Sequence, residues 1–257
     1  MNELARMTAP EAADAVAAAT VALLPIGATE QHGNHLTLET DYAIADAFAR
    51  RLAADLGAAA VLCPGLPYGL SEHHLGFPGT LTLRAQTLLG VLRDVAESLA
   101  GAGVRRVLVV NGHGGNVDAV RLAARDLRRD HGVVMAHLMW AGLAADVIGG
   151  LMTGERYGHA CEGETSVAMV LAPHLVRPER IGTATVPLPV LPHAAPATPH
   201  VDLPLAYHLL SDTGGLGDPS RASRELGEKI VDTAYGRALE FARAFAAEPR
   251  ESTCASW

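Results

Sequence analysis

Along this chain the apolar positions form short continuous runs, separated by longer stretches of helical period. Residues 21–27 (VALLPIG), 59–63, 104–110 and 132–140 are apolar runs of strand length. Between them, helices are predicted from Thr8, as N-cap, through PEAADAVAAA, over 42–56 with Gly57 closing the last turn, over 85–100, and over 117–130. Residues 80–83 (TLTL) are expected to form a further short strand. A helix is expected beyond Thr165 over SVAMVLAPHL, and Asp218-Pro219-Ser220 is expected to open a last helix reaching about Ala246. Strand and helix therefore alternate through the first 140 residues. That alternation predicts the α/β class, a three-layer α/β/α arrangement with a mainly parallel sheet and helices on both faces. The Pro- and Ala-rich stretch 187–204 reads as a loop or cover. With no internal repeat and no composition break, residues 1–257 are expected to form one domain.

The chemistry-bearing residues gather where such a sheet places them, in loops beyond the C-terminal ends of strands. Gly27-Ala28-Thr29-Glu30-Gln31-His32-Gly33-Asn34-His35 follows the first strand and leads to Thr40-Asp41. Glu30 and His32 are two apart, so an extended segment turns both to one side. A carboxylate and an imidazole converging in this way begin a divalent-metal site, and the two oxygens of Asp41 could bridge two ions. Asn111-Gly112-His113-Gly114-Gly115-Asn116 breaks the 104–110 strand and presents His113 among three glycines, which let a ligand approach closely. His159-Ala160-Cys161-Glu162-Gly163-Glu164-Thr165-Ser166 supplies one more imidazole and two carboxylates just ahead of a helix.

Composition narrows the function classes. At 49% hydrophobic and 19% charged the chain has ample material for a core, and its formal net charge of −8 disfavours nonspecific binding to nucleic acid or to anionic membranes. Cys63, Cys161 and Cys254 contain no CxxC pair and suit reduced thiols. MNELARMTAP has no apolar signal-peptide core, and no uncharged apolar run reaches the about 18 residues of a membrane span, so the expected location is the cytoplasm. Twelve histidines, several of them in Gly-rich contexts, point instead to metal ligation and proton transfer.

The segments GATEQHGNHLTLETD, SEHHLGFPGTLTL, NGHGGN, HACEGETS and TGGLGDP, in that order, resemble the creatininase family of amidohydrolases over roughly residues 20–245. The resemblance implies a creatininase-like fold and a pair of divalent metals, usually zinc or manganese. Their ligands would be Glu30, His32, Asp41 as the bridge, and His113. Creatininase has a further Glu ligand two residues after the NGH histidine. Gly115 stands there in this chain, and Glu164 matches the replacement. His159 matches the proton-transfer histidine, and Glu162 is a partner behind a ligand or a base. Glu72 and His73 are expected to line the pocket. Trp140 matches one of the tryptophans around creatinine, whereas Glu155 stands where another would be.

These departures turn the expectation away from creatinine itself and towards the C–N bond of another small, cyclic amide. A formamide, a cyclic sugar ketone, a peptide precursor, or a non-catalytic metal-binding scaffold remain as alternatives. The resemblance also implies a homo-oligomer, a hexamer, acting on a small-molecule substrate.

Overall fold

The computed structural model describes residues 1–151, 158–183 and 203–248. Glu155, nearly all of the 187–204 stretch, and Cys254 lie outside the described residues. Four strands, β1 (Val21–Ile26), β2 (Ala60–Leu62), β3 (Arg106–Asn111) and β4 (Val134–Met139), pair in parallel in the order β2-β1-β3-β4. The helices are α1 (Ala9–Ala18), α2 (Thr40–Leu56), α3 (Ala85–Gly101), α4 (Val117–His131), α5 (Trp140–Leu143), α6 (Ala145–Leu151), α7 (Glu162–Leu171) and α8 (Arg224–Ala247).

The continuous apolar runs follow from burial on both faces of the sheet. Successive side chains of a strand point to opposite sides. Val21 and Leu23 of β1 join a cluster with Phe48 and Leu52 of α2, Val167 of α7 and Ile230 of α8. Ala22, Leu24 and Ile26 join the opposite cluster, with Leu88 and Leu92 of α3 and Val120 and Leu127 of α4. The three-layer α/β architecture is thereby realised. Among the described residues no helix is long and apolar enough to cross a membrane.

Strand order decides where a site can form. The chain leaves β1 through α2 to β2 on one side, then crosses by α3 on the opposite face to β3 on the other side of β1. The connections diverge between β1 and β3, which opens a crevice at their C-terminal ends.

Three expectations change. Residues 80–83 do not form a strand. They make isolated bridges, Leu81 to Thr29 and Thr82 to Gly69, which tie their loop to the segments around the crevice. Helix α7 starts at Glu162, with Cys161 as N-cap, so Glu162 and Glu164 occupy its first turn, where the helix dipole favours carboxylates. The turn at Asp218 closes on itself when Asp218 Oδ1 accepts the Ser220 N–H at 3.0 Å. The chain extends again before Ser223, whose Oγ accepts the Leu226 N–H at 3.1 Å, and the last helix begins at Arg224.

Core and surface leucines separate cleanly in this architecture. Leu108, in the middle of β3, is fully buried, whereas Leu122 on α4 is 47% exposed. Leu108→Ala is expected to cost about 2–5 kcal/mol of unfolding free energy, and Leu122→Ala to stay within about 0.5 kcal/mol of the parent, both read from urea unfolding midpoints.

Candidate metal centre

Glu30 and His32 lie on the extended segment that leaves β1, and both are fully buried. The backbone N–H of Glu30 donates to Leu38 O at 3.0 Å, which pins the segment as it turns towards α2. Asp41 sits in the first turn of α2, and that helix end is wedged against the ends of both central strands. A Cβ at Gly27 would collide with the Tyr42 backbone nitrogen, and one at Gly112 with the Asp41 carbonyl oxygen. Glycine at these two positions is what lets Asp41 reach the crevice. His113 follows β3 and is braced by Asn111, whose Nδ2 donates to His113 O at 2.6 Å and whose Oδ1 accepts the His113 N–H at 3.0 Å. Glu164 enters from α7, where its Oε2 accepts the Ala160 N–H at 2.6 Å. Ala160 holds φ at 50°, a left-handed conformation uncommon for a residue with a side chain.

Two groups of donors result. Glu30, Asp41 and His113 converge, as do His32, Asp41 and Glu164, and the residue shared by both is Asp41. His113 Nδ1 lies 3.0 Å from Asp41 Oδ2 and 3.3 Å from Glu30 Oε1. His32 Nε2 lies 3.1 Å from Asp41 Oδ1 and 3.9 Å from Glu164 Oε1.

Backbone carbonyls fix which ring nitrogen faces inward. A carbonyl oxygen only accepts, so the nitrogen beside it carries the proton. His32 Nδ1 donates to Glu30 O at 3.1 Å, His113 Nε2 to Leu70 O at 2.8 Å, and His159 Nε2 to Gln31 O at 2.6 Å. In the neutral rings the remaining nitrogen is a lone pair, and in all three it faces carboxylates. Such an arrangement is repulsive unless a proton or a metal ion lies between, and it is how metal-ligating histidines are usually oriented.

The electrostatics describe what happens when a proton takes that place. Burial works against a charged His32, but Asp41 and then Glu164 outweigh it and raise the imidazole to about 10. Burial likewise opposes a charged His113, and Glu30 and Asp41 overcome it. Burial also disfavours ionised Asp41, yet His32 and His113 hold its carboxyl well below the usual range. Glu164 is pushed up to about 7, first by burial, against the pull of His32 and with a further rise from Asp41. His159 is held well below its usual value, by burial and then by the charge of His32, so it is neutral.

Of the other anticipated residues, His73 stacks on His113 with ring centroids 5.7 Å apart and planes 6° from parallel. Glu72 is exposed, at the start of a short 3-10 helix (Glu72–His74) whose buried residue is His74. His74 is buried, 3.2 Å by Nε2 from Glu30 Oε1, and held from behind by the Gln31 amide at 2.6 Å. Gln31 Oε1 accepts the Gly33 N–H, so its Nε2 is the donor to His74 Nδ1, and His74 Nε2 then carries the proton. The Glu30–His73–His74 grouping therefore lacks a lone pair at His74. Trp140 is 3% exposed and packs in the core with Leu138, Ile148 and Val167, not along an open wall. Glu162 is buried in the first turn of α7 and belongs to none of the donor groups among the described residues. Tyr207, which no motif singled out, packs on His74 with centroids 4.2 Å apart. Gln31 Nε2 also donates to Gly214 O at 3.2 Å, and Leu216 N–H donates to His159 O at 2.7 Å, so the TGGLGDP segment closes against the centre.

The donor chemistry fits divalent cations. Both oxygens of Glu30 and Oδ2 of Asp41 are buried and accept no hydrogen bond. Leaving such oxygens unpaired is costly, and a cation relieves the cost. Two imidazole lone pairs and three carboxylates form a nitrogen and oxygen set suited to zinc or manganese.

Comparison with known proteins agrees with this geometry. The creatininase family, described as creatinine amidohydrolase, matches residues 5–242. The mycofactocin precursor peptide peptidase of Mycobacterium tuberculosis is 36% identical over 221 residues, spanning 81% of this chain and 78% of its own. The creatinine amidohydrolase of Pseudomonas putida is 34% identical over 238 residues, spanning 82% and 84%. Among solved structures, a manganese form of creatininase superimposes with a TM-score of 0.78 at 30% identity, covering 96% of this chain and 99% of its own. The chain belongs to the creatininase family of hydrolases.

Proposed function

We propose that this protein hydrolyses an amide C–N bond at a two-cation centre held by Glu30, His32, Asp41, His113 and Glu164, with Asp41 as the bridge. The observation that carries this reading is the pair of donor groups that share Asp41 and turn unprotonated imidazole nitrogens inward. Zinc or manganese there would acidify a water towards neutral pKa and polarise the substrate carbonyl. His159 moves the proton. It begins neutral, its Nε2–H held by Gln31 O, and its Nδ1 lies 3.7 Å from Glu30 Oε1, facing the centre. His159 Nδ1 takes a proton from the attacking water as the C–O bond forms. It returns that proton to the leaving nitrogen as the C–N bond breaks, yielding a carboxyl product and an amine. Gln31 orients two imidazoles at once, His159 through its carbonyl and His74 through its amide.

The substrate we favour is a small, cyclic amide other than creatinine. Position 115 supports this reading. A Cβ there would meet Leu70 O and the rings of His113 and His73, so the extra carboxylate of creatininase has no room. A second reading, the peptide bond of a precursor peptide, is supported by the 36% identity to the mycofactocin precursor peptidase. Assaying the manganese- or zinc-loaded protein against creatinine, other lactams and cyclic ureas, formamides and short linear peptides tests both. Turnover of lactams but not peptides selects the first, the reverse selects the second, and no turnover of any amide overturns the hydrolytic reading.

Two variants test the assignment of roles. Asp41→Ala is expected to lose most of both ions, measured as metal per chain by elemental analysis; unchanged content would remove Asp41 from the bridge. His159→Ala is expected to keep its metal while kcat falls by about 10²- to 10⁴-fold, and loss of metal in that variant would make His159 a ligand instead.

A further inference from the structure

Tyr207 belongs to a short 3-10 helix (Tyr207–Leu209) that packs on the Glu72–His74 turn. Its ring touches three imidazoles. The centroid lies 4.2 Å from that of His74, 5.0 Å from His73 and 5.5 Å from His159, the last two approached edge-on. His74 and His159, like His113, border Glu30 Oε1, so the phenol stands at the rim of the donor cluster. The segment carrying it is fixed. The Leu210 and Ser211 N–H groups both donate to Tyr207 O at 3.0 Å, and His208 fills the space beside Gly76, where a Cβ would collide with its ring.

Among the described residues the phenol is a proton donor without an acceptor. Tyr207 is half-buried, and among the described residues no hydrogen bond involves its hydroxyl. Burial, and after it the carboxylates of Glu30, Glu164 and Asp41, push it up to about 12. A half-buried donor beside carboxylates, with no partner of its own, suits an oxygen that arrives with the substrate.

We propose that the Tyr207 hydroxyl donates a hydrogen bond to the substrate carbonyl oxygen, and to the negative charge that develops on it, over the two-cation centre. The ring packing orients the hydroxyl, and the hydroxyl reads the oxygen. The proposal rests on the amide-hydrolase reading of the centre, and formate binding keeps the two separable, because a carboxylate oxygen stands in for the substrate oxygen without any turnover.

The test measures formate affinity of the manganese-loaded protein by calorimetry, for the parent, Tyr207→Phe and Tyr207→Leu, with metal content and melting temperature recorded for each. Tyr207→Phe keeps the ring and removes the donor. It is expected to retain metal and melting temperature and to bind formate about 10- to 100-fold more weakly. If an amide substrate is in hand, its kcat should fall while KM changes little, because the bond strengthens as charge develops. Formate binding equal to the parent in Tyr207→Phe, whatever the behaviour of Tyr207→Leu, overturns the proposal and leaves a packing role. So does loss of metal from Tyr207→Phe, or a loaded parent that does not bind formate. Normal formate binding with no turnover of any amide overturns the hydrolytic reading and leaves Tyr207 as an anion-binding donor.

Discussion

The placement of the Asp41 carboxylate between two buried imidazoles is the constraint on which the rest of the site depends. Its two oxygens face different rings, Oδ1 towards His32 at 3.1 Å and Oδ2 towards His113 at 3.0 Å. No local sequence feature brings those three together. His32 comes from the loop after β1, His113 from the loop after β3, and Asp41 from the helix that follows β1. They meet because β1 and β3 are adjacent while their connections leave on opposite faces. The N-terminus of α2 can enter between them only where Gly27 and Gly112 leave room. The divergence of chain paths supplies the crevice, and two missing side chains supply the depth.

Burying so many ionisable groups has to be offset electrostatically. Glu30, Asp41 and Glu164 bring three formal negative charges into a region with almost no water. An unpaired buried charge is far costlier than the marginal stability of a domain can absorb. Protonation of His32 and His113 is one remedy, and both imidazoles are held well above their usual value in the absence of a cation. Two divalent cations are the other, and they leave one positive charge in excess, which suits an oxyanion developing on the substrate. The same lone pairs serve both states, so metal ions and protons compete for this centre. His159 is arranged differently: burial, and then His32 beside it at a ring separation of 4.2 Å, hold it well below its usual value.

The sequence carried much of this because the site is built from short motifs at strand ends. Glu30, His32, His113 and His159 lie in loops, Asp41 and Glu164 in the first turns of α2 and α7, and the structure brings all six to the crevice. What could not be read is where local geometry departs from an extended chain. In Ser71-Glu72-His73-His74 a 3-10 turn, with three residues per turn, buries Ser71 and His74 together and sends Glu72 outward. The carboxylates of HACEGETS suit a helix N-terminus, but with Thr165 read as the cap the helix start falls too late, since Cys161 is the cap and α7 begins at Glu162. Trp140 matches a tryptophan that surrounds creatinine in the family, yet its helix α5 packs on α8, far away in sequence, and the ring is buried. Tyr207 sits in an unremarkable LAYHLL stretch and acquires its neighbours only through the docking of that stretch on Gly76.

The position of the Glu164 carboxylate bears on how this centre is tuned. In this chain His73 lies over His113 and beside Gly115, so position 115 cannot supply a ligand without displacing a ring. Glu164 brings a carboxylate oxygen into the donor cluster from α7 instead, with Oε2 anchored on the strained Ala160 turn that also sets His159. Helix α7 is packed against α8, where Ser166 Oγ accepts the Ser223 N–H at 3.0 Å. The Glu164 carboxylate, the His159 imidazole and the Gly214–Leu216 segment that closes on them are thus referenced to one helix pair, while Glu30, Asp41 and His113 are referenced to the sheet. A shift of α7 against the sheet would move one donor group relative to the other, with Asp41 as the pivot between them. The separation of the two donor groups is therefore set by core packing at α7 and α8 as much as by the donors themselves.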